Sequence, residues 1–325
     1  MLLRANRPKR KETKPKKMIK ITDLNIGQRI ALELLWGFTW CIAVLPYWVK
    51  FYLLEPLLYG ILYHLLHYRR RVIEENLRAS FPEKSDEELR AIKRDFYHNL
   101  AEVIIGTFNM VHLTDKKIRR YFNMRHFEQL KREMPDEHII VLFAHHGLWE
   151  LSAFWTMAEP THESLGIYHE LRSKVLDLFY QRLRTTPYST PVQKKESMRF
   201  LLHHFKEGVR GRKMAMGLIA DQHPNIPVNA DTHWFDFLNQ ETVFFDGGEQ
   251  LAMRYHMPVY FAPMFRVGRG RYEMEFELIY DGKEQVEKHE ITERYVRRLE
   301  QMIRRDPALW MWSHRRWKHK RNVEQ

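Results

Sequence analysis

His145 and Glu150, separated by four residues, follow the apolar run Ile139-Ile140-Val141-Leu142 and the stretch Phe143-Ala144-His145-His146-Gly147-Leu148-Trp149-Glu150. Aliphatic residues ending in an alanine, two histidines and a glycine read as a buried strand that turns sharply into a helix beginning near Glu150. Such a turn in an open α/β sheet lies at the carboxyl edge of the strands, where ligands bind. On one continuous helix, positions five apart would point roughly 140° away from each other. The two side chains therefore meet only if His145 sits in the turn and Glu150 in the first turns of the helix. In that geometry the carboxylate holds one imidazole nitrogen and fixes the tautomer, leaving the other as a general base for a hydroxyl. This is the base and orienter of a catalytic triad without an internal nucleophile. No Gly-x-Ser-x-Gly elbow occurs, and the single cysteine, Cys41, lies in an apolar segment, so the nucleophile arrives with the substrate. Two plainer readings stand beside this one. A chain with 18 histidines produces His-x4-Glu by coincidence, and His145, His146 and Glu150 form a metal site only with a further ligand at a recognisable spacing. We expect no metal.

The elements that must position the pair alternate. Strands are predicted at 139–142, 165–168, 214–220 and 258–263, with a half-exposed edge strand over 271–279. Helices are predicted at 173–183, 245–256 and 291–304. A capping box, Ser85-Asp86-Glu87-Glu88, opens a long amphipathic helix carrying Leu89, Ile92, Phe96, Leu100, Val103 and Ile104 at helical spacing. The expected fold class is α/β, an open, mostly parallel central sheet flanked by helices, with an N-terminal helical membrane anchor. At 325 residues the chain is long enough for a sizeable core. No internal repeat and no Pro/Gly/Ser linker divides it.

The net charge of +12 is uneven: residues 1–29 carry ten Lys or Arg against Glu12 and Asp23. A tail of this composition is disordered and suited to anionic phosphates, of lipid headgroups or of nucleic acid. Residues 31–67 favour lipid. Ala31 to Val49 has Glu33 as its only charge and Phe51 to Leu66 has Glu55, with Pro46 and Pro56 interrupting them and Arg69-Arg70-Arg71 following. Each stretch approaches the length that crosses a bilayer, and basic flanks on both sides suit a helical hairpin dipping into one leaflet. A buried helical pair in a soluble domain is the alternative, and the number of crossings stays open. The late start of the apolar run and the lack of a small-residue cleavage site argue against a signal peptide. One cysteine agrees with a reducing compartment. The expected organisation is a basic tail (1–29), a membrane-anchoring helical segment (30–67), a helical region (68–120) and an α/β domain (121–325).

Over roughly residues 30–320 the sequence resembles the lysophospholipid acyltransferase superfamily, and within it the lipid A late acyltransferases of the lauroyl/myristoyl type. The resemblance is carried by blocks in the family's order: Arg70-Arg71 with Glu75-Asn76-Leu77 and Phe81-Pro82; His145-x4-Glu150; Ala220-Asp221-Gln222; Phe237-Leu238-Asn239-Gln240 leading to Gly247-x-Glu249; and Ser313-His314-Arg315-Arg316-Trp317-Lys318. It implies transfer of a fatty acyl chain to a hydroxyl of a lipid A precursor, at the bacterial inner membrane with the catalytic domain on the cytoplasmic side. The implied donor is acyl carrier protein or coenzyme A, with no resident cofactor. His145 matches the family's catalytic histidine and Glu150 its carboxylate partner, where many relatives have Asp.

The residues agree with that chemistry. Acyl transfer from a thioester needs a base and stabilisation of an oxyanion, here from backbone N–H groups near Gly147 and Leu148 or from a nearby cation. Arg172 and then Lys174 are the candidates for acceptor phosphates, against the plainer reading of a solvated helix face. Asp221 and Gln222 end a buried strand at the same edge as His145 and line the cleft. Thr242, Gly247 and Glu249 lie on a loop and helix start facing it, where turn formation alone would explain the glycines. His146 is read as a wall of the site. The terminal run Trp310, Trp312, His314, Arg315, Arg316, Trp317, Lys318 interleaves rings with cations, a pattern for a bilayer interface or for stacking on bases. Competing functions are acylation of a lysophospholipid or aminolipid, a basic nucleic-acid-binding protein, and a noncatalytic membrane scaffold. We expect lipid, carrier protein and membrane as partners and no nucleic acid.

Overall fold

The computed structural model describes residues 19–114, 117–118, 121–123, 136–157, 161–224, 229 and 232–318. The basic tail up to residue 18 and most of the segment 225–231 lie outside the described residues. Helix α1 (Ile26–Val44) opens on a capping box of Asn25 and Gln28 and stops just before Pro46. Helix α2 (Tyr47–Leu65) follows at a bend of 111°. Among the described residues no single helix is long and apolar enough to cross a membrane; α1 and α2 pass that test only together, as a bent pair.

The two helices are apolar on two sides for different reasons. One side of α1 packs on the protein: Trp36 meets Phe179 edge to face at 5.7 Å, and the Arg182 guanidinium covers the same indole at 3.9 Å. The other side leaves Ile26, Ile30, Leu34 and Phe38 exposed, one residue per turn, and Trp48, Tyr52, Leu57 and Leu65 continue an exposed apolar surface along α2.

Helix α3 (Arg70–Ser80) leads to α4 (Asp86–Asn109), whose capping box forms as the sequence predicts: Ser85 Oγ accepts from Glu88 N–H, and Glu88 accepts from Ser85 N–H at 2.8 Å. A short strand β1 (Phe122–Asn123) precedes the main sheet. That sheet contains β2 (Ile139–Phe143), β3 (His162–Tyr168), β4 (Ser189–Gln193) and β5 (Lys213–Ile219). After the hairpin of β6 (Phe235–Phe237) and β7 (Gln240–Thr242) it is completed by β8 (Val259–Phe261) and β11 (Glu277–Tyr280). The strand order is β11-β8-β2-β5-β3-β4, parallel throughout except for β11 at one edge. Between β8 and β11, β9 (Met264–Gly268) and β10 (Arg271–Met274) join β1 in a separate sheet. The segment predicted as one strand over 271–279 is thus two strands in two sheets. The other edge strand, β4, is short, contains Pro191 and carries no alternation that the sequence pattern would register.

Helices α5 (Lys174–Arg184), α6 (Ser197–His204), α7 (Gly247–Tyr255) and α8 (Glu290–Arg305) complete the fold. Strand β2 is buried along its whole length because both of its faces are covered. Ile140 and Leu142 face a core shared with α3, α4, α7 and α8, while Ile139, Val141 and Phe143 face a second core shared with α1, α5 and the segment 149–157. The connections leaving β2 and β5 therefore pass to opposite faces of the sheet. A crevice opens between two such neighbours at their carboxyl ends.

Candidate active site

Strands β2 and β5 are paired in register, Leu142 beside Leu218 and Phe143 beside Ile219. Two residues beyond the last pair, His145 and Asp221 leave the sheet side by side at the crevice. The imidazole Nδ1 lies 2.7 Å from Asp221 Oδ1, the His145 backbone N–H donates to Oδ2 at 2.9 Å, and Trp310 Nε1–H donates to Oδ2 at 2.8 Å. Burial disfavours the charged carboxylate of Asp221, but the His145 ring and these hydrogen bonds outweigh it and hold its pKa below the ordinary 3.8. With Nδ1–H given to Asp221, Nε2 of His145 keeps its lone pair and accepts from the Gln222 amide at 3.2 Å. Trp149 closes one side of the ring edge to face at 5.3 Å.

The turn itself is held from the C-terminal part of the chain. Gly147 takes φ +57, and a Cβ there would come within 2.8 Å of the Tyr272 ring, so only glycine fits. Gly147 N–H donates to Leu309 O and Met311 N–H to His145 O, each at 3.0 Å, around an antiparallel bridge of His146 with Trp310. The Gly147 amide is thereby engaged and does not serve the oxyanion role that its place in the sequence suggests.

Glu150 is not the carboxylate on His145. It is buried and faces the last turn of α5, where Arg184 donates to it through Nε at 2.8 Å and Nη2 at 2.6 Å. The physical reason is local: after Gly147 the chain forms 3-10 turns, Trp149–Ala153 and Trp155–Met157, in place of the expected α-helix. The orienting position that the spacing assigns to Glu150 is filled by Asp221, which was predicted only to line the cleft. His146 is no wall of the cleft either. It is buried, with Nδ1 2.9 Å from Met264 O and Nε2 3.2 Å from Asp306 O, and burial pulls its pKa down to about 4. His145, His146 and Glu150 thus do not converge on a common metal position.

Beside the pair lies a cavity of about 570 Å³, between the carboxyl ends of β3 and β5 and helices α6 and α7. Its volume falls in the range of roughly 300–1,000 Å³ that holds small-molecule ligands. Ile167, Met198, Met216, Leu218 and Leu251 line it, and Gln222 joins it to His145. Lys194 stands in the wall with Nζ 4.0 Å from the centre of the Phe245 ring, and burial lowers its pKa.

The remaining sequence candidates lie elsewhere. Arg172, on the loop from β3 into α5, and Lys174, the first residue of α5, are both exposed, and neither lines the cavity; Lys174 Nζ reaches Asp23 O at 3.3 Å. Thr242 is buried, donating to Gln240 O and accepting from Trp317 Nε1–H at 2.7 Å. Glu249 is buried and committed to the start of α8, accepting from the N–H groups of His289 and Thr292 and from the Thr292 hydroxyl. Helix α8 has no side-chain cap of its own from His289, and a carboxylate at that terminus also suits the helix dipole. Neither Thr242 nor Glu249 lines the cavity. The aromatic and basic terminal run is split: Trp310, Trp312 and Arg316 are buried in the core, while Arg315 and Lys318 are exposed. Trp310 and Arg184 are the contacts that sequence reasoning missed, since nothing in their spacing ties them to residues so distant.

An imidazole oriented by a buried carboxylate, with its other nitrogen on Gln222 at the rim of a mostly apolar cavity on the carboxyl edge of an open α/β sheet, fits an enzyme that activates a hydroxyl beside an apolar ligand. The chain belongs to the bacterial lipid A biosynthesis acyltransferase family, whose model matches residues 19–319. It is therefore an acyltransferase. Among curated proteins, none matches it.

Proposed function

We propose that this acyltransferase moves a fatty acyl chain from a thioester carrier to a hydroxyl of a lipid A precursor, with His145 as general base and Asp221 as its orienter. The observation that carries the reading is the 2.7 Å contact between His145 Nδ1 and Asp221, which leaves Nε2 directed to Gln222 at the cavity rim. Nε2 takes the hydroxyl proton as the oxygen attacks the thioester carbonyl, then returns it to the departing thiolate. The acceptor displaces the Gln222 amide from Nε2. The apolar cavity suits the acyl chain, and the exposed apolar surface of α1 and α2 suits attachment to the cytoplasmic leaflet of the inner membrane, where acyl thioesters are supplied. Acyl carrier protein is the proposed donor, and coenzyme A the alternative.

The test uses the full chain purified in detergent. It is assayed by mass spectrometry with acyl carrier protein and coenzyme A thioesters as donors, and with a lipid A precursor and a lysophospholipid as acceptors. Acylation of the lipid A precursor, abolished in His145→Ala without loss of expression or membrane attachment, is the expected result. Acylation of the lysophospholipid alone would replace the acceptor, and an active His145→Ala would remove the mechanism.

A further inference from the structure

The motif Ser313-His314-Arg315-Arg316-Trp317-Lys318 has no part in the chemistry above, yet it holds an unusual buried group. Arg316 is 1 % exposed, and only one of its nitrogens is engaged within the protein: Nη2 donates to Val243 O at 2.7 Å. Nε and Nη1 are buried and meet no hydrogen-bond acceptor, and among the described residues no carboxylate lies within ion-pair distance of the guanidinium; Asp221 is the acid whose charge it feels. Its flat face lies over Phe244 at 4.4 Å. Phe244 touches Phe237 edge to face at 5.1 Å, Phe237 touches Trp310 at 5.8 Å, and Trp310 is the donor on Asp221. The cation is thus packed behind the His145–Asp221 pair through one wall of rings.

Burying a guanidinium without a pairing carboxylate is costly, and an apolar side chain would fill the same space without that cost. We infer that Arg316 is a positioning residue that acts through His145, its fixed positive charge opposing protonation of the imidazole and so keeping Nε2 free to accept the substrate's proton. The need is physical. Asp221 favours the imidazolium as well as orienting the ring, and a base that is already protonated cannot work. A buried cation nearby offsets that pull, and low-dielectric surroundings carry the effect further than water would.

Arg69, whose Nη1 donates to Ser313 O at 2.8 Å, is a second cation nearby, but it is exposed and screened by solvent. His314, whose ring senses Asp221, His145, Arg316 and Arg69, is pulled down to about 4 by burial and is neutral at physiological pH. His146 is likewise neutral, and burial pushes the Tyr295 hydroxyl, which donates to Phe143 O, well above its ordinary range. Burial also lowers Arg316, to about 10, so it remains charged where the enzyme works.

The inference rests on His145 being the base, and the experiment separates the two. Acyl transfer by the full chain in detergent micelles is followed as kcat/KM against pH, with an acyl carrier protein thioester and a lipid A precursor, for wild type, Arg316→Met, Arg316→Gln and Arg316→Lys. The acid limb of the profile is expected to move about one pH unit upward in the Met and Gln variants. Activity on that limb then falls about tenfold, with the alkaline plateau largely kept, and Arg316→Lys holds the limb in place. If wild type shows no acid limb, the base assignment itself fails. If wild type shows the limb and the folded Met or Gln variant lowers only the plateau, or if Lys shifts the limb as far as Met, Arg316 is structural and the inference is overturned.

Discussion

Arg184 grips Glu150 with both ends of its guanidinium, at 2.6 and 2.8 Å, in a pair in which the Glu150 side chain keeps 8 % of its exposure. The contact ties the 3-10 turn after His145 to the last turn of α5. Removing one partner strands a buried charge. Arg184→Met is expected to lower stability by about 3 kcal/mol, and the double variant Glu150→Met/Arg184→Met to recover part of that loss. Thermal unfolding of the detergent-purified proteins measures both. A double variant no more stable than Arg184→Met would mean that the pair contributes more than compensation of charge.

Asp221 holds the imidazole, so Asp221→Asn is expected to damage turnover far more than binding. The amide can satisfy Trp310 or the ring, but it favours the wrong tautomer of His145. A fall in kcat of about 1,000- to 10,000-fold with little change in KM follows from that role. Steady-state kinetics distinguish it from a folding defect, which would appear in the unfolding curve.

How much of this was legible beforehand depended on distance along the chain. The apolar run 139–142 and the capping box at Ser85 are local patterns, and they specify β2 almost to the residue and α4 at its start. The end of β2 is legible for the same reason, since a glycine after two histidines marks a strand end. What spacing could not supply was register. Nothing near Asp221 says that its strand pairs with β2 so that the two exits align, and the nearest acid in sequence, Glu150, took its place. The terminal tryptophans failed in the same way: Trp310 and Trp312 have interfacial composition, but burial depends on segments far upstream.

Glu249 gives a contrasting expectation. Because it caps α8 from a neighbouring helix, Glu249→Ala is expected to cost about 1–2 kcal/mol of stability. Activity per folded molecule should hold near that of wild type. Paired unfolding and kinetic measurements decide it: a large loss of kcat/KM at unchanged stability would return this residue to the substrate.

His146 sets a pH dependence of stability. Its pKa is about 4 in the folded chain against an ordinary 6.5, with burial as the cause. The unfolded chain therefore binds a proton that the folded one refuses. This contribution is fully present above about pH 6.5 and is lost as pH falls from there toward 4, by about 3 kcal/mol at the lower end. His146→Gln is expected to flatten the unfolding free energy across that window, measured by denaturant titration at several pH values. An equally steep fall in the variant would assign the effect to other groups, His314 first.

The pairing of Leu309 and Met311 with the His145 turn also orders events during synthesis. A growing chain completes α1 and α2 well before the segment that fastens His145 and supplies Trp310 has been translated. The turn that carries His145 therefore stays untied until residues 309–311 have emerged, so a chain stopped short of them would hold its first helices but not this turn.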